Sequence, residues 1–295
     1  IVGGSGVMGR GIAASFASAG IRTAVLSRDP AKAAGLHPDV AVIGELPTEA
    51  PELVIESVPE VFDMKLAFNA RVEAAYAGGT VLGSNTSSLS LQKLADHLKH
   101  PERFCGIHYF QPADIGPVVE LARVAQTSDV TFGLARTLLE ASGKYVLQLN
   151  KPIDGLLINR LQHAILHEAY YLIEQGICTA RDVDEAAKRM LGPRMSVTGL
   201  IEQKDLSGLD THALAQAELV PRLHHGAAPS RVVQGKYAAG RLGVKSGTGF
   251  YDWRGQDLDS YRASTGALLG DVLRVLEGRR PAPPPLAPDD AQDQE

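Results

Sequence analysis

Short apolar runs alternate with helical stretches over about the first 150 residues of the chain. The runs have the length of β-strands and fall at residues 22–26, 40–43, 53–56, 80–83, 103–109, 118–124 and 145–149. Helices are expected between them, for example at residues 61–77 and 130–142. Because apolar strands that alternate with helices build parallel sheets, the pattern predicts an α/β fold with a Rossmann-type, doubly wound, mostly parallel sheet.

The spacing of the apolar positions changes near residue 154. Beyond it, one helical stripe carries the apolar side chains of Leu156, Leu157, Leu161, Ile165, Ala169 and Leu172. We therefore predict a Rossmann-type domain at residues 1–151 and an all-helical domain at residues 152–279. Residues 280–295 are proline-rich and then acidic, and we expect them to form a disordered tail. The pattern begins inside a strand, so we also expect a few residues before Ile1.

Composition and charge narrow the class of protein. The chain is 44% hydrophobic and 21% charged, as globular proteins are, and its net charge of −5 argues against nucleic acid as a partner. No apolar run reaches the roughly 20 residues that cross a bilayer, and no N-terminal signal pattern is seen. Two cysteines, Cys105 and Cys178, are too few for a disulfide framework, so we expect a cytoplasmic protein. His163 and His167 have metal-ligand spacing but no accompanying ligands, and we predict no metal site.

A glycine-rich turn opens the chain. Gly4-Ser5-Gly6-Val7-Met8-Gly9 follows a strand-like start and leads into a helix expected at residues 10–19. In a dinucleotide-binding turn the first glycine permits the tight bend and the second lets the backbone approach the pyrophosphate. The third glycine lets the helix pack closely on the strand. Strand, turn, helix and second strand occur in the required order, so the turn predicts a dinucleotide site.

The end of the second strand bears on the choice of cofactor. About 20 residues after the glycine turn, NAD-binding domains usually carry an acidic residue for the ribose, whereas this chain has Ser27-Arg28. A carboxylate would repel a 2′-phosphate, while Ser offers a hydrogen bond and Arg a charged fork. We therefore expect NADP(H) in preference to NAD(H). The alternative is that Arg28 is only solvated and Asp29 binds the ribose.

Four further segments carry side chains suited to acid–base chemistry. Ser87 lies in a Ser-Asn-Thr-Ser-Ser run that ends a predicted strand, and His108 ends another. Glu120 stands in an apolar strand twelve residues later, and Asn159 lies on the first helix after the change of period. A histidine can take the proton of a secondary alcohol while hydride leaves the same carbon, and a neighbouring carboxylate would fix the tautomer of its ring. Ser and Asn could hydrogen-bond the substrate oxygen.

Together these segments resemble the 3-hydroxyacyl-CoA dehydrogenase family over nearly the whole chain. The landmarks are Ser-Asn-Thr-Ser-Ser at 84–88, Arg-Phe-Cys-Gly-Ile-His at 103–108, Val-Glu at 119–120, Asn-Arg at 159–160 and Gly-Val-Lys-Ser-Gly-Thr-Gly-Phe-Tyr at 243–251. The resemblance implies His108 as catalytic base, Glu120 as its partner, and Ser87 and Asn159 as groups that orient the substrate. It also implies a homodimer formed through the helical domain, and cofactor contacts from Glu60, Lys65, Gln111 and Lys245.

Three departures from the family pattern affect the expected substrate and cofactor. Gln111 stands where the family usually has Asn at the nicotinamide end, and Ser27 replaces an acidic residue. Only residues 30–52 follow the second strand before the next buried one, which leaves no room for the long helical excursion of the acyl-CoA members.

Two signals within the family disagree about its branch. The glycine turn and residues 159–165 look most like the lambda-crystallin and L-gulonate dehydrogenase branch, which acts on free hydroxy acids. The closing Gly-Phe-Tyr is more typical of the acyl-CoA branch.

We therefore expect an oxidoreductase that interconverts a 3-hydroxyacyl compound, as CoA ester or free acid, with its 3-oxoacyl form by hydride transfer with NAD(P). One alternative is an enzyme like the β-hydroxyacid dehydrogenases or imine reductases. Those enzymes use a Lys on the interdomain helix, and residues 155–167 contain none. The other is a non-catalytic, crystallin-like NAD(P)H-binding protein, against which the joint presence of His108, Glu120, Ser87 and Asn159 argues.

Overall fold

A computed structural model describes residues 1–27, 29, 35–280, 282 and 284–287. Its strands are β1 Val2–Gly3, β2 Thr23–Leu26, β3 Val40–Ile43, β4 Leu53–Glu56, β5 Val81–Ser84, β6 Phe104–Tyr109, β7 Val118–Ala122 and β8 Tyr145–Leu149. They form one sheet in the order β3-β2-β1-β4-β5-β6-β7-β8. All neighbours are parallel except β6 and β7, which are antiparallel. The doubly wound, mostly parallel sheet is thus confirmed.

The helices of at least five residues are α1 Val7–Ser18, α2 Phe62–Ala75, α3 Leu91–Ala95, α4 Asp129–Ala141, α5 Leu157–Glu174, α6 Ala180–Ala186, α7 Gly192–Thr198, α8 Glu202–Ser207, α9 Leu209–Leu219, α10 Arg231–Ala238 and α11 Leu258–Arg279, with a π-helical turn at Ala187–Leu191. The first helix begins earlier than expected, at Val7, because Gly6 is its N-cap. The part of the chain after β8 is helical, as predicted. None of the described helices is both long and apolar enough to span a membrane.

Two apolar clusters cover the two faces of the sheet. One contains Ile12 of α1 and Leu139 of α4, and the other contains Val72 of α2 and residues of α3. Successive residues of β4, Val54 and Ile55, belong to opposite clusters, because side chains alternate along a strand. The central strands are therefore buried on both sides, which explains their continuous apolar runs.

Backbone contacts divide the chain into two compact units, Ile1–Arg160 and Leu161–Glu295. We call them the N-terminal and the C-terminal unit. The boundary predicted at residues 151 and 152 stays a prediction. Of the expected tail, residues 281, 283 and 288–295 lie outside the described residues, as do Arg28 and residues 30–34.

The order of the strands locates a crevice in the N-terminal unit. β1 lies between β2 and β4, so the chain leaves β1 toward one side of the sheet and later continues on the other side. In open α/β sheets, ligands bind outside the carboxyl ends of the strands at this switch point. The glycine turn follows β1 at that edge.

Candidate active site

The three glycines of the turn have different surroundings. Gly4 has a φ of +131°, and a Cβ there would lie 2.5 Å from the carbonyl oxygen of Ser57. A Cβ on Gly9 would lie 1.9 Å from the carbonyl oxygen of Gly4, whereas a Cβ on Gly6 would meet no atom within 4 Å. Packing within the protein thus requires glycine at positions 4 and 9. Gly6 instead leaves open space at the N-terminus of α1, where a pyrophosphate would fit.

A pocket of about 1080 Å³ extends from this turn to His108. Its walls come from the carboxyl ends of β1, β2, β4, β5 and β6 and include Ser5, Val7, Met8, Ser27, Glu60, Ser87, His108, Gln111 and Asn159. A second cavity, of about 550 Å³, lies at the amino ends of the strands. The pocket at the carboxyl ends is the candidate site, because it alone of these two holds the glycine turn and the histidine.

His108 and Glu120 face each other across β6 and β7. Their Cα atoms are direct partners in the antiparallel register, so both side chains point to one face of the sheet. Nδ1 of His108 lies 2.7 Å from Oε2 of Glu120, and both side chains are buried. The predicted closeness of these two groups, beside the crevice of the glycine turn, is found.

The second carboxylate oxygen of Glu120 binds the start of α5. Oε1 accepts hydrogen bonds from the backbone N–H groups of Leu157, at 2.9 Å, and Ile158, at 2.8 Å. The first N–H groups of a helix have no partner inside the helix, and its N-terminus favours negative charge. Glu120 is therefore bonded on both oxygens although no part of it reaches solvent. The sequence pattern did not indicate this contact, since backbone groups supply it.

The other side of the His108 ring faces the pocket. Phe110 packs edge-on against the imidazole, with 4.5 Å between the ring centroids. Nε2 has no hydrogen-bond partner within the described part of the chain, and His108 contributes to the pocket wall. Because the carboxylate of Glu120 can only accept, Nδ1 carries the hydrogen, and in the neutral ring Nε2 then has the free lone pair.

A serine-rich loop after β5 wraps around Glu60. Oε1 of Glu60 accepts hydrogen bonds from the hydroxyl of Thr86, at 2.6 Å, and from the backbone N–H groups of Ser87 and Ser88, at 2.9 and 3.0 Å. Asn159 reaches the same loop, with Nδ2 at 3.4 Å from the carbonyl oxygen of Ser87. Ser87 and Asn159, both predicted from the sequence, thus lie together in the pocket wall.

Glu60 is held as a carboxylate. Burial alone would raise its pKa from 4.5, and this is the largest single effect on it. The hydrogen bonds from Thr86 and Ser88 and the charge of Lys65 together outweigh burial and lower the pKa of Glu60 to about 2. An ionised Glu60 can accept the hydrogen bonds of the loop throughout the neutral pH range.

Lys65 lies behind Glu60. Its Nζ donates to both carboxylate oxygens of Glu56, at 2.7 and 3.0 Å, and lies 3.2 Å from Oε2 of Glu60. Lys65 and Glu56 are almost completely buried, and the hydroxyl of Ser84 completes the cluster at 2.6 Å from Oε2 of Glu56. Lys65 is not among the residues that line the pocket, so the direct cofactor contact expected of it stays a prediction.

Three further residues expected to contact the cofactor are Ser27, Arg28 and Lys245. Ser27 is buried, and its hydroxyl lies 3.0 Å from that of Ser5 and 2.9 Å from the carbonyl oxygen of Asp29. Arg28 lies outside the described residues. Lys245 lies in the C-terminal unit, in an exposed turn, and its contact with the cofactor stays a prediction.

Comparisons with known proteins cover most of the chain. A family model described as the 3-hydroxyacyl-CoA dehydrogenase NAD binding domain matches residues 45–152, and the C-terminal domain of the same family matches residues 155–253. The first match begins after the glycine turn, so the turn is independent support for a dinucleotide site. The match and the turn together indicate a nicotinamide cofactor.

Individual relatives differ in their named substrates. The chain is 29% identical over 228 residues to a 5-formyl-3-hydroxy-2-methylpyridine 4-carboxylate 5-dehydrogenase of Mesorhizobium japonicum, which covers 77% of this chain and 74% of the relative. It is 33% identical over 209 residues to a 3-hydroxybutyryl-CoA dehydrogenase of Bradyrhizobium diazoefficiens, 69% of each chain. A crystal structure of a dehydrogenase of the first kind, described as an NAD+ dependent dismutase, matches with a TM-score of 0.88 at 26% identity and covers 95% of this chain and 98% of its own.

Proposed function

Because the chain belongs to the 3-hydroxyacyl-CoA dehydrogenase family, we propose that it interconverts a 3-hydroxyacyl compound and its 3-oxoacyl form with a nicotinamide cofactor. The observation that carries this proposal is the 2.7 Å contact between His108 and Glu120 at a pocket that also contains the glycine turn. The proposed reaction needs an acid–base group and a dinucleotide site in one crevice, and the walls of this pocket include both His108 and the glycine turn.

His108 is the proposed acid–base residue. In the oxidative direction, Nε2 takes the proton of the substrate hydroxyl, and in the reductive direction it returns that proton to the carbonyl oxygen. When bound, the nicotinamide ring exchanges a hydride with the carbon that bears this oxygen. Glu120 holds Nδ1 protonated and stabilises the imidazolium that forms when Nε2 takes a proton.

Ser87 and Asn159 are the proposed orienting groups for the substrate. Both line the pocket with His108, and Asn159 contacts the loop that carries Ser87. A hydroxyl and an amide at this place can donate to a carbonyl oxygen and keep it within reach of the imidazole. Glu60 fixes the backbone of the loop, so we assign it a positioning role for Ser87.

We propose a small free acid as the substrate in preference to a CoA ester. Only residues 27–52 lie between β2 and β4, and they include β3. This short connection leaves no room for the long helical excursion that the acyl-CoA members of the family carry after the second strand. One structural match over nearly the full length, with a TM-score of 0.88, is to an enzyme named for a pyridine carboxylic acid. A 3-hydroxyacyl-CoA dehydrogenase structure from Archaeoglobus fulgidus matches over 92% of this chain with a lower TM-score of 0.70. The relative named for a CoA ester matches over 69% of this chain, so CoA esters belong in the test.

We propose NADP(H) as the preferred cofactor. Ser27, at the end of β2, brings no carboxylate that would repel a 2′-phosphate, and Arg28 follows it in the sequence. Asp29 also lines the pocket and would favour NAD(H) if it bound the ribose hydroxyls. The ratio of kcat/KM for the two cofactors distinguishes these cases, and a preference for NAD(H) would contradict the proposal.

We propose that the C-terminal unit is completed by a second copy of the chain. Among its described residues, only Ala169 and Gly249 are buried. Large apolar side chains are exposed instead, including Ile201, Leu206 and Leu214, each between 71% and 76% accessible. Monomeric proteins rarely leave so much apolar surface in water. Light scattering should give the mass of two chains, and a monomer at micromolar concentration would contradict the dimer.

The reaction itself is tested by the absorbance of the reduced nicotinamide ring. Free 3-hydroxy acids, pyridine carboxylic acids bearing a hydroxymethyl or formyl group, and 3-hydroxybutyryl-CoA are each offered with either cofactor. The variant His108→Ala should lose turnover and keep cofactor binding, whereas His100→Ala, which changes an exposed histidine just before β6, should behave as wild type. Cofactor binding without turnover of any of these compounds would favour the non-catalytic alternative.

A further inference from the structure

Lys144 is a buried lysine whose side chain donates its hydrogen bonds to backbone carbonyls. Its Nζ donates to the carbonyl oxygens of Ala113, Asp114 and Gly116, at 2.9, 3.2 and 2.7 Å. Lys65, the other buried lysine of the described chain, is instead paired with carboxylates. An ammonium group has three donors, so these carbonyls satisfy Lys144 completely.

The turn between α4 and β8 sets the position of this lysine. Gly143 has a φ of +80°, which ends the helix, and the backbone N–H of Lys144 returns to the carbonyl oxygen of Leu139 at 3.3 Å. Burial lowers the pKa of Lys144, while the charge of Asp114 opposes that change. A charge removed from water in this way must be held by good hydrogen bonds.

The three carbonyls belong to the connection between β6 and β7, residues 110–117, which we call the Phe110 loop. Within it, the N–H of Gly116 donates to the carbonyl oxygen of Pro112 at 2.9 Å. Ala113 packs against α1, since a Cβ on Gly11 would lie 2.9 Å from the Cβ of Ala113. The loop is therefore held from two sides, by α1 and by Lys144.

The first residues of the Phe110 loop reach the candidate site. Phe110 and Gln111 both line the pocket, and Phe110 packs on the ring of His108. They lie only a few residues before the carbonyls that Lys144 binds. Any loss of the lysine bonds would thus loosen the backbone that aims these two side chains.

We propose that Lys144 is a positioning residue for the nicotinamide end of the cofactor site, acting through Gln111 and Phe110. The inference rests on the proposed function for the location of the nicotinamide end. It predicts that replacing Lys144 weakens binding of the part of the cofactor beyond the pyrophosphate and leaves binding of the part at the glycine turn unchanged.

Two ligands separate these parts. Calorimetry compares binding of the reduced cofactor with binding of the matching ADP-ribose, which lacks the nicotinamide ring. Lys144→Met should weaken binding of the reduced cofactor by roughly tenfold, or about 1.4 kcal/mol, and leave ADP-ribose binding unchanged. Lys144→Arg, which keeps the charge and donors, should recover part of the loss. Lys151→Met, which alters an exposed lysine just after β8, is the matched control.

A double mutant tests the path through the loop. If Lys144 acts through Gln111, then Lys144→Met should add little to the effect of Gln111→Ala on the reduced cofactor. Equal weakening of both ligands by Lys144→Met, or full additivity of the two substitutions, would overturn the proposal. Should Lys144→Met fail to fold, Lys144→Gln, which retains two donors, is measured in the same way. The binding assay needs no substrate, so its outcome is separate from that of the turnover test.

Discussion

Oε1 of Glu120 lies 2.8 Å from the backbone nitrogen of Ile158, and this contact joins the acid–base pair to α5. The same carboxylate binds Nδ1 of His108 through its other oxygen. Asn159 is the next residue of that helix and contacts the loop of Ser87. The two carboxylate oxygens thus hold both the proposed base and the helix that carries a proposed substrate ligand.

Replacing Glu120 with Gln or Ala should separate these two functions. In Glu120→Gln the amide oxygen can still accept from α5, but the amide NH₂ would face Nδ1 and favour the tautomer that lacks a lone pair on Nε2. We expect kcat to fall about 10²- to 10⁴-fold with a small change in stability. Glu120→Ala should also lower the free energy of unfolding by about 1–3 kcal/mol, because the helix N–H groups lose their buried acceptor.

Stopped-flow or steady-state rates and urea unfolding of both variants check this expectation. A Glu120→Gln enzyme with the kcat of the wild type would show that the tautomer of His108 does not matter. The matched control is Glu140→Gln, an exposed carboxylate on α4, which should alter neither quantity.

The low pKa of Glu60 predicts a pH dependence of stability. The pKa of the group in the folded protein, about 2, is below its ordinary value of 4.5. The carboxylate therefore contributes stability above about pH 5, and that contribution is lost as the pH falls toward 2. In Glu60→Gln this part of the pH dependence should disappear. Urea unfolding at about pH 5 and about pH 3 gives the free energy of unfolding at each pH. An equal loss of this free energy between the two pH values in wild type and variant would contradict the expectation.

The His108–Glu120 pair could be predicted because residue type and spacing reveal it. A histidine at the end of one apolar strand and a carboxylate in the next have few arrangements in an α/β sheet. The structure adds that β6 and β7 are antiparallel, which the apolar pattern does not distinguish from parallel. It is this register that makes the two side chains direct neighbours.

Contacts made by the backbone could not be predicted in this way. The carbonyls that bind Lys144 and the N–H groups that bind Glu120 occur at every position of a chain, so no residue type marks them. Lys65 shows that the partner of a side chain can also escape prediction from the sequence. The family pattern places it near the cofactor, while Glu56, nine residues earlier, binds its charge inside the protein.

Lys65 and Glu56 form a buried ion pair whose members depend on each other. Lys65→Met should destabilise the protein by about 3–5 kcal/mol, because it leaves the Glu56 carboxylate buried without its counter-charge. The double variant Lys65→Met/Glu56→Gln removes both charges and should recover much of that loss. The free energies of unfolding of the four proteins in this cycle provide the measurement, and additive losses would show that the pair is not coupled.

The glycine turn offers the sharpest separation of folding from binding. A Cβ at Gly6 meets no protein atom within 4 Å, so Gly6→Ala should leave Tm nearly unchanged. The methyl group would point into the space proposed for the pyrophosphate, and the Kd for the cofactor should rise about tenfold or more. Gly9→Ala should instead lower Tm sharply, because its Cβ would lie 1.9 Å from the carbonyl oxygen of Gly4 and must displace α1 or the turn. The main effect of Gly9→Ala is therefore expected on folding. If Gly6→Ala bound cofactor as tightly as the wild type, the phosphates would have to lie away from this helix N-terminus, and the location of the whole site would need revision.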